Sequence, residues 1–85
     1  MSIKLRAEVS MAAAELGVVL LDERTGKYWQ LNRSGGLILD KLLAGGSLPD
    51  AVAEVASVYR VAPDVVNVDA QELLGRLVSS GLVTS

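Results

Sequence analysis

The chain has no cysteine, no histidine and no phenylalanine among its 85 residues. Without cysteine there is no disulfide framework and no thiolate nucleophile. Without histidine the commonest general base and the commonest metal ligand are both missing, so Ser10, Ser34, Ser47 and Thr25 have no imidazole to activate them. Aromatics are scarce, one Trp and two Tyr, which leaves the core to branched aliphatics and alanine. No apolar run approaches the roughly 18 residues a membrane span needs. The start, MSIKLRAEVS, alternates polar and apolar residues and does not read as a signal peptide. A cytoplasmic location without membrane contact is the expectation.

The acidic residues do not form a catalytic pair. Asp22 and Glu23 are adjacent where a strand runs into a turn, so their side chains diverge; one such pair is also a poor cation site. The Gly35-Gly36 and Gly45-Gly46 pairs lack the Lys-Ser/Thr that completes a phosphate-binding loop. No cofactor and no metal are expected, and the chain reads as a binding module rather than an enzyme.

Eighty-five residues, 51% of them hydrophobic, suit one folded domain over 1–85 with a small core. The net charge of −2 is unevenly spread. After residue 46 only Arg60 and Arg76 oppose Asp50, Glu54, Asp64, Asp69 and Glu72. Phosphate contacts supply most non-specific nucleic-acid affinity and need clustered Lys or Arg, so nucleic acid is not the expected partner.

Ile3, Leu5, Ala7 and Val9 alternate with Lys4, Arg6, Glu8 and Ser10, the period-two pattern of a half-buried strand. Residues 11–15, MAAAE, break the alternation and read as a connection. Val18 to Asp22 is a buried strand, residues 23–26 a tight turn with Gly26 at positive φ, and Lys27 to Leu31 a returning third strand. Asn32 or Ser34 caps a helix striped by Leu37, Ile38, Leu42 and Leu43, which stops at Gly45-Gly46. Ser47, Pro49 and Asp50 start a second helix with Val52, Val55 and Tyr59 inward. Pro63 opens a third, with Val66, Ala70, Leu73, Leu74, Leu77 and Val78 on its apolar face; Gly81 ends it and Leu82 folds back in a Schellman contact. Gly75 inside that helix suggests either a close crossing or drift. The expected fold is α+β: a three-stranded antiparallel sheet followed by three helices, βββααα, arranged like a winged helix-turn-helix.

In a simple meander the third strand is an edge, and Lys27 is the only charge between Gly26 and Leu31. Two readings stay open. The edge is harmlessly short, or it accepts an extended peptide by β-strand addition, with pockets beside it choosing side chains. Val66, Asp69, Leu73 and Arg76 follow i, i+3, i+7, i+10 along one flank of the third helix. Either they wall a peptide cleft, or Val66 and Leu73 are core and the charges are solvated. Tyr28 and Trp29, being adjacent on a strand, face opposite sides; which one meets a ligand is open.

The segment LLDERTGKYWQLNRSGGLILDKLLAGGS (residues 20–47), followed by LLGRLVSSGLV (residues 73–83), resembles the PqqD-like family, also called RiPP recognition elements. The shared pattern is a turn-Gly-x-Tyr-x-x-Leu-Asn strand, a Gly-Gly helix stop and a terminal Leu-x-x-x-Gly-Leu-Val. The short stand-alone form looks most like the leader-binding proteins of lasso peptide pathways. The resemblance implies a winged helix-turn-helix that binds the leader segment of a ribosomally made precursor, adding it to the third strand beside the third helix. It implies leader contacts at Lys27, Tyr28, Trp29, Gln30 and Leu31, and at Val66, Asp69, Leu73 and Arg76. It also implies a leader with a Tyr-x-x-Pro motif and, as partners, a separate leader peptidase and a cyclase. Pyrroloquinoline quinone synthesis is the family's other implied setting.

Overall fold

The computed structural model describes residues 3–84. In chain order the elements are β1 (Lys4–Leu5), β2 (Val9–Ala14), β3 (Gly17–Asp22), β4 (Lys27–Asn32), α1 (Arg33–Leu43), α2 (Leu48–Tyr59), α3 (Pro63–Ser79) and β5 (Val83–Thr84). An antiparallel sheet of order β2-β3-β4 precedes three helices, as expected, and a small β1-β5 ladder is added.

The N-terminal strand departs from expectation. The alternating stretch 3–10 is not one strand: Glu8 takes a left-handed φ of 69° and turns the chain after β1. The Val9 N–H donates to the Arg6 carbonyl at 3.1 Å. Lys4 and Leu5 pair with Thr84 and Val83 instead, and the Arg6 N–H donates to the Leu82 carbonyl at 3.1 Å. The sheet's first strand is the Ala-rich segment read as a connection. It pairs with β3 from Val9↔Asp22 to Ala14↔Gly17. Local propensity favours helix there, but β3 carries the buried Leu20 and needs hydrogen-bond partners on both edges. The actual connection shrinks to Glu15-Leu16. Gly17 makes it work: its φ is +150°, and a β-carbon there would collide with the Leu31 carbonyl.

Leu20 and Leu39 lie at the centre of the core, wholly buried, with Ile38 and Leu42 of α1, Val52 and Val55 of α2, Ala70 and Leu77 of α3, and Leu82 and Val83 at the end of the chain. Asn32 caps α1, its Oδ1 accepting the Gly35 N–H at 2.8 Å and the Ser34 hydroxyl at 3.0 Å. Ser47 and Asp50 form a reciprocal capping box on α2. α1 and α3 both end in Schellman turns: Gly46 and Gly45 donate to Lys41 and Leu42, and Leu82 and Gly81 to Leu77 and Val78.

The inward stripes differ from the sequence pattern, shifted on α2 and narrower on α3. On α2 the buried residues are Ala51, Val52, Val55 and Ala56, while Tyr59, in the last turn before a left-handed Arg60, is exposed. On α3, Val66, Ala70 and Leu77 are buried and Leu73 and Leu74 partly so, whereas Val78 is exposed. A β-carbon on Gly75 would meet nothing within 4 Å, so no close crossing explains that glycine.

Candidate functional site

β4 lies at one side of the sheet with β3 as its only partner strand among the described residues, so its other side offers unpaired backbone groups. The register decides which side chains go where. Trp29 sits opposite Leu20 and Leu31 opposite Val18, while Tyr28 sits opposite Leu21 and Gln30 opposite Val19. Cross-strand partners share a face, and Leu20 faces the core. Trp29 and Leu31 therefore point toward the helices and Tyr28 points away. Tyr28 is 68% exposed and Trp29 39%.

α1 follows β4 without a linker and packs back against β3 and β4. Its first turn carries Gly35 and Gly36. A β-carbon on Gly35 would lie 3.4 Å from Leu73 Cδ2, which measures how closely α3 approaches at this point. Between β4 and α3 runs a cleft of about 340 Å³. Trp29, Gln30 and Leu31 line one wall; Asp69, Glu72, Leu73 and Arg76 line the other. Ile38, Leu77 and Leu82 contribute from the core, so an apolar interior opens between a strand edge and a charged helix face.

Of the nine residues singled out from sequence, the fold brings six into this cleft: Trp29, Gln30, Leu31, Asp69, Leu73 and Arg76. Lys27 and Tyr28 belong to the same edge strand but do not line it. Val66 is 5% exposed and sits in the core, on the stripe it shares with Ala70 and Leu77. The stripe of Asp69, Leu73 and Arg76 lies beside that one, so the flank drawn through Val66 mixes two faces. Sequence reasoning missed Asn32, Ser34, Gly35, Ile38, Glu72, Leu77 and Leu82 as lining residues. Glu72 was within reach, since it stands three residues after Asp69 and four before Arg76. Gly35 carried a signal too, because a glycine inside the first turn of a helix marks a close approach.

A second hollow, of about 440 Å³, lies at the β2-β3 hairpin end between Ala14–Val18 and Gln30–Asn32. No helical side chain walls it. The carboxylate with a perturbed pKa, Asp22, belongs to neither hollow; it closes the turn before β4, and its bond from Arg24 holds it below the usual value. Among the described residues no group of three or more acidic side chains is gathered to hold a metal ion, and no helix is long and apolar enough to cross a membrane.

A family model described as coenzyme PQQ synthesis protein D (PqqD) matches residues 17–83, a span that holds β3, β4, all three helices and both walls of the cleft. Two solved structures are similar over nearly all of the chain. One is described as lasso peptide synthetase B1 complexed with the leader peptide; it is 36% identical, each chain is covered in full, and the TM-score is 0.91. The other is described as TbiB1 in complex with the TbiA(beta) leader peptide; it is 28% identical over 96% of this chain and 95% of that one, with a TM-score of 0.83. No curated protein sequence matches.

Proposed function

The chain belongs to the PqqD family of RiPP recognition elements, and from that premise we propose that it binds the leader segment of a lasso-type precursor peptide and performs no covalent chemistry. The observation that carries this reading is the cleft itself, a strand edge facing a helix across an apolar interior. An extended leader adds to β4 as a fourth strand through main-chain hydrogen bonds, and alternate side chains enter the cleft. Lys27, Tyr28, Trp29, Gln30 and Leu31 supply the pairing edge. Asp69, Leu73 and Arg76 supply the facing wall, with Val66 supporting that wall from the core. The apolar space beside Leu31, Leu73 and Leu77 takes an aromatic anchor of the leader.

Holding the precursor in this way delivers it to a separate leader peptidase, and then to a cyclase, by raising its local concentration there. Ribosomally made precursors are cytoplasmic, and so is this step. A second reading draws on the family model's own description: a precursor carrier in another modified-peptide pathway such as pyrroloquinoline quinone synthesis. A peptidase and an asparagine-synthetase-like cyclase encoded beside this gene favour the lasso reading; a radical enzyme favours the other.

The test is a fluorescence-anisotropy titration against the labelled leader of the small precursor encoded nearby. Saturable binding that is lost when the leader's Tyr or Pro is replaced supports the proposal. A folded protein that leaves the anisotropy flat across the titration refutes it for that precursor.

A further inference from the structure

Three charged side chains line the α3 wall of the cleft, and among the described residues none of them closes an ion pair or a side-chain hydrogen bond. Asp69, Glu72 and Arg76 all face the opening. Among the described residues the ion pairs are Asp22–Arg24 and Lys41–Glu54. Glu72 and Arg76 stand four residues apart, a spacing that permits a weak helix-surface pair, but they do not close one.

The direction of α3 gives these charges an order along β4. A β-carbon on Gly35 would lie 3.6 Å from Leu31 Cβ and 3.4 Å from Leu73 Cδ2, so residue 73 is level with the C-terminal end of β4. A β-carbon on Gly81 would lie 3.7 Å from Arg24 Nη2, in the turn that precedes β4. α3 therefore runs antiparallel to β4. A peptide that extends the sheet in its prevailing antiparallel sense, the slightly more stable pairing, runs in the same direction as α3. Its N-terminal part meets Asp69 and Glu72, and its C-terminal part meets Arg76.

The spacing follows from the two rises. Along a helix, Glu72 and Arg76 are about 6 Å apart and Asp69 and Arg76 about 10 Å. A strand rises about 3.4 Å per residue and turns every second side chain to one face, so cleft-facing positions recur at about 7 Å, which matches Glu72–Arg76, and at about 14 Å, from which the reach of long charged side chains closes onto the shorter Asp69–Arg76 span. Resting on the leader-binding reading above, we infer that the cleft selects peptides by charge order. It takes a basic residue at one cleft-facing position and an acidic residue two or four positions further toward the C-terminus. The opposite order sets acid against Asp69 and Glu72 and base against Arg76, a like-charge juxtaposition at both ends.

The experiment is selection of a phage-displayed random dodecapeptide library on the wild-type protein and on the charge-reversed variant Asp69→Lys/Glu72→Lys/Arg76→Glu. Leu73→Asp and Trp29→Ala, each shown to be folded by thermal melting, serve as impaired-cleft controls. Wild type enriches peptides with base before acid at even spacing, and the reversed variant enriches the inverse. A synthetic peptide from the wild-type pool binds roughly three- to tenfold more tightly than its charge-swapped isomer, and the ratio shrinks as salt is added. Enriched peptides that both controls reject, but with acid before base, with no order, or with an order that ignores the reversal, overturn the inference and leave the recognition reading intact. No enrichment, or peptides that both controls still bind, removes the recognition reading and this inference with it.

Discussion

A β-carbon on Gly36 would lie 2.6 Å from Cγ2 of Val18, so α1 meets β3 with bare backbone and sits lower on the sheet than any side chain would permit. That depth places Ile38 in the core and in the cleft at once. Gly36→Ala adds a methyl where none fits and is expected to cost about 1–3 kcal/mol from overpacking, after the helix-propensity gain of alanine is counted. Val18→Ala in the same chain relieves part of that cost, and a double-mutant cycle in urea measures the coupling. Gly75→Ala is the contrasting case. It enters open space on α3 and is expected to stabilise by up to about 1 kcal/mol.

Acid is expected to loosen the turn before β4. The Asp22 carboxylate accepts the Arg24 backbone N–H at 3.0 Å, its Nε–H at 3.2 Å and its Nη2–H at 3.1 Å. The side-chain bond from Arg24 is the main reason the Asp22 pKa lies below its ordinary 3.8; burial works against it, and the backbone bond adds to the lowering. A depressed folded pKa means the unfolded chain binds more protons, so this contribution is fully present above 3.8 and is lost as the pH falls through the folded value. Asp22→Asn should therefore be less stable than wild type at neutral pH. The gap should close below pH 3.8, as read from melting temperatures across a pH series.

Most of the fold was legible because its signals are local. The Asn32 and Ser47 caps, the 23–26 turn and the glycine stops at 45 and 81 are each set by a few neighbouring residues. What failed depended on distant partners. Nothing in MAAA announces a strand; β3 makes it one by needing a second neighbour. Nothing in Ile3–Ser10 announces a break after Leu5; the end of the chain causes it by pairing with Lys4 and Leu5. The cleft was legible as a strand and a helix, through the edge position of β4 and the spacing of Asp69, Leu73 and Arg76. It was not legible to the residue, since Val66 and Leu73 are both apolar and differ only in which neighbours α3 finds.

The two neighbouring aromatics should separate cleanly. Trp29 points to the cleft and Tyr28 to the opposite face. Trp29→Ala is expected to weaken leader binding by about 2 kcal/mol, roughly thirtyfold, the scale of a central aromatic contact. Tyr28→Ala should cost under about 1 kcal/mol. Equal losses in titrations of the two variants would mean that the ligand wraps the edge instead of lying in the cleft.

The two apolar residues of α3 should separate by stability. Val66→Asp places a charge in the core without a partner and is expected to unfold the domain or cost more than about 3 kcal/mol. Leu73→Asp, at the half-buried cleft wall, should leave a cooperative melt while lowering leader affinity at least tenfold, about 1.4 kcal/mol. A Leu73→Asp chain that fails to melt cooperatively would assign Leu73 to the core alongside Val66.

Pairing with β4 makes a prediction about the ligand's backbone that side-chain docking does not. In an antiparallel ladder each residue turns both its N–H and its C=O to the same side, and the next residue turns both away. Only every second amide of the leader therefore meets β4. Methylating those nitrogens removes a donor and inserts a methyl between the strands, so affinity should collapse at alternate positions. Methylating the nitrogens between them changes groups that face solvent and should cost little. A scan of singly N-methylated leaders, titrated one by one, should thus oscillate with period two over the length that contacts Lys27–Asn32. Side-chain substitutions should oscillate with the same period, marking the residues that enter the cleft beside Trp29 and Leu31. If affinity ignores N-methylation but follows the side chains, the leader sits in the cleft without extending the sheet, and β4 is then a wall of the cleft and not a pairing edge.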